Sequence, residues 1–397
     1  MLSNFIFLVL GAVLGVVVDR TWEVLARTTR TRHSSAMASA RATNEFKFQN
    51  TVRQLYAQKG YAKNLYLPAN LSLGRIPILG GLDPRAPSLC IATRDFSLRL
   101  NSSGIEQMEV DERAIRARKR AGAELWDGDI LYLKRADFDP IATDAQLPCL
   151  EVGVSNYFGF VSAAERWRTE CESDGSHPLL ENHYATLERL LRTPPKPLAL
   201  SAAAVCIFNT PDGLVVPMAH RSNAVVNAMG SLCLAPTFGL EPNRIDERDS
   251  QFDVLKYNFV KEFLEEIFNL DLAHSAESGI LDPDTIFDNP DAKGILAEFT
   301  AQRARLNVTG LAGELTDGSL VISLLAEFDS TDFYRQVATR SRPAWEWQPH
   351  PGTHQHIRFY PLDSFTSGER DAILPHLAHS SAFALDRAIS VLRSRMA

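Results

Sequence analysis

The stretch Asn258–Leu270, NFVKEFLEEIFNL, places three carboxylates, Glu262, Glu265 and Glu266, within five residues. On an α-helix turning 100° per residue they share about one third of the circumference. Phe259, Val260, Phe263, Leu264, Ile267, Phe268 and Leu270 fill the opposite half, so the sequence describes a buried helix whose polar edge is almost all acid. Glu262 and Glu266 are four apart, where like charges repel by a few tenths of a kcal/mol. Lys261 stands four residues before Glu265, the weaker order for a helical ion pair. Local pairing does not account for the strip. Either the repulsion is tolerated in solvent, or something positive sits against it.

Other residues capable of chemistry are scattered. His220 and Arg221 end an apolar, strand-like run. HPGTHQH carries His350, His354 and His356, and its Pro-Gly excludes a helical pair of histidine ligands, which leaves a loop of surface histidines. Glu346 lies in a late loop and Glu327 on a strand-like run. Trp345 and Trp347 could stack a base or fill a core.

The elements that must position these groups are legible after the proline-rich TPPKP, Thr193–Pro197. LALSAAAVCIFNT (Leu198–Thr210) reads as a strand, PDG as a turn and LVVPMAHRS (Leu214–Ser222) as a second strand. A loop-rich stretch, Met229–Asn243, and a polar insertion, RIDERDSQFD, precede the acidic helix. Leu306–Leu315, Ser319–Phe328 and His356–Phe365 read as strands, and a helix over about Ser380–Arg395 closes the chain. This order predicts an α+β fold with a mixed sheet packed between helices.

In that order the residues resemble the Nudix superfamily, whose signature ends in Arg-Glu-hydrophobic-x-Glu-Glu on a helix after a glycine-bearing loop. Lys261-Glu262-Phe263-Leu264-Glu265-Glu266 matches it, and the resemblance covers about residues 198–365. It departs from the family at Lys261, which replaces an arginine and lacks its planar fork. The glycine pair after Pro236 is missing, and 21 residues separate Gly239 from Lys261, more than the family's spacing. Asn269 stands one position past the expected glycine, and asparagine can end a helix in the left-handed conformation.

The resemblance implies hydrolysis of a nucleoside diphosphate linked to another group, with magnesium or manganese neutralising the diphosphate oxygens. It implies Glu262, Glu265 and Glu266 as metal ligands, with Glu262 also able to orient water. Lys261 would orient the glutamates, and Lys261, Glu262 and Glu265 form the candidate catalytic set. His220 and Arg221 are the candidate substrate-binding residues. The alternative is a Nudix-fold module that senses a nucleotide or binds a protein without turnover. A scaffold role also stays open, because a fold does not fix a function.

The whole chain sets bounds. Its 397 residues suggest more than one domain, and 45% apolar with 22% charged residues is a globular composition. A net charge of −7 gives no general pull toward nucleic acid. Five dispersed cysteines without a CxxC pair signal neither a disulfide framework nor a zinc ribbon.

Phe5–Val18 is a run of 14 apolar residues, at the short edge of a membrane span, with Arg20, Arg27, Arg30 and Arg32 behind it. That predicts a single-pass membrane anchor over 1–22 with the C-terminal bulk cytoplasmic. Gly11 and Gly15 add a homodimer cue. A tether over 23–43, a mixed α/β N-terminal domain over 44–193 and a Nudix-like domain over 198–397 complete the expected organisation. Within 44–193, Val110–Leu125 reads as a helix with a basic face.

Overall fold

The near-continuous apolar run of Leu198–Thr210 organises the molecule. In this computed structural model, which describes residues 43–80, 90–137, 149–222, 225, 228–242, 253–270, 286–366 and 373–396, that segment is the central strand. In chain order the strands are β1 (Ile78–Leu79), β2 (Ile91–Ala92), β3 (Leu98–Glu106), β4 (Asp129–Asp137), β5 (Cys149–Asn156), β6 (Leu198–Thr210), β7 (Gly213–Arg221), β8 (Leu232–Leu234), β9 (Thr237–Gly239), β10 (Ala304–Glu314), β11 (Ser319–Phe328), β12 (Trp347–Gln348) and β13 (Ile357–Pro361). The helices are α1 (43–58), α2 (Glu112–Arg120), α3 (Tyr157–Glu172), α4 (Leu187–Arg192), α5 (Val254–Glu262), α6 (Pro290–Thr300), α7 (Thr331–Arg340) and α8 (His379–Met396).

All the strands join one mixed sheet in the order β1-β10-β11-β6-β4-β5-β3, with the remaining strands paired to β6, β7 and β10. β6 runs parallel to β11 and antiparallel to β7 through the Thr210–Gly213 turn. Successive side chains of a strand point to opposite faces. Leu200, Ala202, Ala204, Cys206 and Phe208 therefore enter one core, with α5 against them. Ala203, Val205 and Ile207 enter the other, under α8. Phe208 stacks on Phe328 of β11 at 4.9 Å, and Phe328 in turn meets Phe263 of the acidic helix. The expected mixed sheet between helices is present.

Hydrogen bonding continues across the proline-rich segment. Tyr132 and Leu133 of β4 pair with Ala199 and Leu198 of β6. β1 and β2 both pair with β10. Trp167 of α3 is fully buried and donates its indole N–H to the Leu315 carbonyl at 2.7 Å. Tyr184 packs over the β10–β11 turn and donates to the Gly318 carbonyl. Gly318 adopts φ +74°, and a Cβ there would meet the Tyr184 hydroxyl at 2.8 Å, so the turn needs a glycine on both counts. Residues on either side of Thr193–Pro197 thus share one sheet and one core.

Two expectations are corrected here, the membrane helix of the fold class and the single-pass membrane localisation. Among the described residues no helix is long and apolar enough to cross a membrane. The longest named helix, α8, has 18 residues but carries Asp386, Arg387, Arg393 and Arg395. Asp386 is buried and accepts from the Tyr66 hydroxyl and the Asn70 N–H, each at 2.6 Å, which marks α8 as a helix of the protein core. Phe5–Val18, Gly11 and Gly15, on which the anchor and the dimer cue rest, lie outside the described residues, as does nearly all of the tether.

Candidate functional site

α5 begins where Asp253 accepts from the N–H groups of Leu255 and Lys256, an N-cap. Phe259, Val260, Phe263, Leu264 and Ile267 are wholly buried against the sheet. Beyond Glu262 the helix widens into a π-type turn over Phe263–Ile267, and Asn269 closes it at φ +55°. Asparagine does perform the left-handed termination expected of it. A π turn takes more residues per revolution than an α turn, so the 100° wheel fails beyond Glu262. The three glutamates consequently do not form one strip.

They divide between two basic side chains. Lys261, 3% exposed, brings its ammonium to 3.1 Å from Glu262 Oε1, 3.0 Å from Glu265 Oε2 and 3.1 Å from Glu241 Oε2. Glu266, 2% exposed, faces Arg221 of β7 at 3.4 Å and accepts from the Thr237 N–H at 3.0 Å. The positive partners are therefore protein groups: Lys261 does pair locally with Glu262 and Glu265, against expectation, and Arg221 from β7 is the positive group that sits against Glu266. Lys261 reaches all three oxygens because burial directs its flexible stem inward.

Glu262, Glu266, Glu241 and Arg221 line a cavity of about 290 Å³, joined there by Glu346. Lys261 and Glu265 stand behind the wall, outside the lining. Glu346 is carried in by the loop before β12: its carbonyl accepts from Ser222 N–H at 2.6 Å, and the Trp347 N–H bonds to the Ala344 carbonyl. Trp347 is core, not a free stacking surface. Its indole N–H donates to the Glu266 carbonyl at 3.0 Å, and the Arg221 guanidinium lies over its ring. Further lining comes from residues before the proline-rich segment, including Glu45, Trp126, Asp129 and Tyr157, from Glu314 at the end of β10 and from Asp317 of the β10–β11 turn.

Carboxylates outnumber cations here, and their proton affinities respond. Burial pushes Glu262 up to about 8; Lys261 opposes the rise, and Glu265 and Glu241 add to it. Burial likewise pushes Glu346 up to about 7, with Arg221 opposing and Glu262 reinforcing. Burial raises Glu265 and Glu266 too, against the pull of Lys261 and Arg221 respectively. Burial alone would lower Lys261, but Glu262, Glu241 and Glu265 together outweigh it and hold the ammonium firmly charged. In the second acidic group burial takes Glu314 to about 8 and Asp317 to about 6.

Period-two alternation separates the other expected pair. Arg221 enters the cavity, whereas His220 turns to the other face and meets His350 edge-on at 4.8 Å. His350 is buried and lies 3.2 Å from the Met218 carbonyl, so it belongs to the interior and not to a surface loop. Burial lowers the proton affinity of both rings. Glu327 is also elsewhere, held by both carboxylate oxygens to Arg395 of α8 at 2.8 Å. Sequence reasoning left Glu346 unaligned and missed Glu241, Glu45 and Trp126, none of which has a local signal.

Donor chemistry fits a hard divalent cation, since the wall offers carboxylate oxygens. Glu265 Oε1 and Glu346 Oε2 are buried without a hydrogen-bond partner among the described residues. As placed, no three His, Cys, Asp or Glu side chains among the described residues are gathered into a ligand set. A cation here would exchange with Lys261 and Arg221 for the same oxygens.

No protein family and no curated protein matches the chain. Among solved structures it is similar to a Nudix hydrolase from M. smegmatis, RenU, at 11% identity, over 49% of this chain and 86% of that one. The TM-score is 0.23, a weak likeness in fold that carries no argument about site or activity.

Proposed function

We propose that the cavity binds a nucleotide-derived diphosphate and hydrolyses its phosphoanhydride with magnesium or manganese. The observation that carries this reading is that Glu262, Glu266 and Glu346 line one cavity with Arg221, whose charge acts on all three. Glu262 and Glu266 are the residues that would hold the cation, with Glu265 in reserve behind them. When bound, the cation neutralises the diphosphate oxygens. Lys261 is a positioning residue that fixes Glu262 and Glu265. Glu346, near 7 and with one oxygen unpartnered, suits a general base at neutral pH. It takes a proton from the attacking water as the water oxygen bonds to phosphorus. The bridging P–O bond breaks and two phosphate monoesters leave. Arg221 supplies fixed positive charge beside them.

A test is to incubate the purified full chain with ADP-ribose and magnesium and follow AMP release. Glu262→Gln and Glu346→Gln should each slow it by roughly 10²-fold or more, the scale for one positioned acid or base. A second reading, ligand binding without turnover, is favoured by one observation: the carboxylates are engaged by Lys261 and Arg221 and not gathered as a ligand set. Saturable nucleotide binding with no product from the wild type would establish that reading instead.

A further inference from the structure

Two tryptophans at the cavity are exposed, although neighbouring residues hold their backbone in place. Trp126 is 56% exposed and Trp345 is 42% exposed, and both line the cavity of the acidic helix. Their rings meet at 5.4 Å between centroids and 66° between planes. The chain around each is fixed. Asp127 accepts from the Phe158 N–H with its carboxylate at 2.9 Å, and the Gly128 carbonyl accepts from the Tyr157 N–H at 2.8 Å, which ties this segment to the start of α3. Trp345 lies between buried Ala344 and Glu346, whose carbonyl is bonded to Ser222. Leaving two indoles beside water forgoes a large hydrophobic gain, and aromatic residues so exposed are characteristic of binding surfaces.

We propose that Trp126 and Trp345 form an aromatic corner that receives a flat heteroaromatic ring, the base of the nucleotide-derived ligand whose diphosphate lies toward Glu262 and Glu266. Two planes inclined at 66° let such a ring lie face-on to one indole and edge-on to the other, the two favoured aromatic geometries. The corner is assembled from both sides of the proline-rich segment, so residues 44–193 contribute specificity to a cavity whose acids come largely from the later part of the chain. This inference rests on the proposed function for the diphosphate, but the aromatic contact is testable without turnover.

The experiment is a calorimetric titration of the full chain with adenosine, and with ribose 5-phosphate as a probe lacking the base. Adenosine should bind and ribose 5-phosphate should not show that component. Trp126→Ala and Trp345→Ala should each weaken adenosine by roughly tenfold, the scale of one base–aromatic stack. Trp345→Phe should restore most of the affinity, which loss of folding could not do. No adenosine binding, or equal binding by wild type and both alanine variants, overturns the inference. AMP release from ADP-ribose separates the two claims. Turnover with an unchanged KM in both alanine variants removes the corner and leaves the hydrolase. Tryptophan-dependent adenosine binding without turnover removes the hydrolase and leaves the corner.

Discussion

Lys261 Nζ lies 3.0 Å from Glu265 Oε2, four residues later on the same helix, in the order that is weaker on an isolated helix. Burial changes the balance, because the same ammonium also holds Glu262 and Glu241. Removing one partner of a buried ion network leaves uncompensated charge, at about 3–5 kcal/mol. Lys261→Met should therefore lower the unfolding free energy at pH 7 by that much, read as a lower urea midpoint at unchanged slope, and Lys261→Arg by less. If Lys261→Met unfolds at the wild-type midpoint, the network is not holding the helix.

The pH dependence has a defined sign. Glu262 rises to about 8 and Glu346 to about 7 through burial, whereas an unfolded glutamate titrates near ~4.3. Between those values the folded chain binds more protons than the unfolded one. Their contribution to stability is complete below ~4.3 and is lost as pH rises toward 8. In chelator, the melting temperature should fall from pH 5 to pH 8. Glu346→Gln should flatten the part below about pH 7. A melting temperature that rises over that interval in the wild type, with the variant parallel to it, contradicts the assignment.

A divalent cation tests the same carboxylates from the other side. Protons and metal compete for them, so magnesium or manganese should raise the melting temperature more at pH 8 than at pH 6. Glu262→Gln and Glu266→Gln should remove most of that rise. Should the cation leave the wild type unmoved at both pH values, these acids serve Lys261 and Arg221 alone.

The parts of this arrangement that sequence reveals are those fixed by neighbours along the chain. Apolar runs bounded by turn residues locate β6, β7, β10 and β11, and Asn269 marks the end of the acidic helix. The π turn at Phe263–Ile267 is not encoded in the wheel, and it sends Glu266 to Arg221 while Glu265 stays with Lys261. Strand parity does place His220 and Arg221 on opposite faces; which face holds the cavity depends on the partners of β7. The pairing of Tyr132 with Ala199, and the meeting of Trp126 with Trp345, join residues far apart in sequence. Such contacts are decided by the closing of the whole sheet, and no local spacing announces them.

That closure gives the last prediction. A chain starting at Leu198 keeps the acidic helix but loses β4 from the edge of β6 and both β1 and β2 from β10. It also loses Trp167 from the Leu315 carbonyl and uncovers Leu198, Leu200 and Leu320, all buried in the same core. Unpaired edges and newly exposed apolar surface favour association. The truncated chain should aggregate or unfold without a cooperative transition, and it should lack the Trp126 half of the aromatic corner. Within the full chain, Trp167→Ala should lower stability by about 3–5 kcal/mol, the range for truncating a buried aromatic ring. A truncated chain that is monomeric and melts cooperatively would mean that the strands before Thr193 decorate the sheet without completing it.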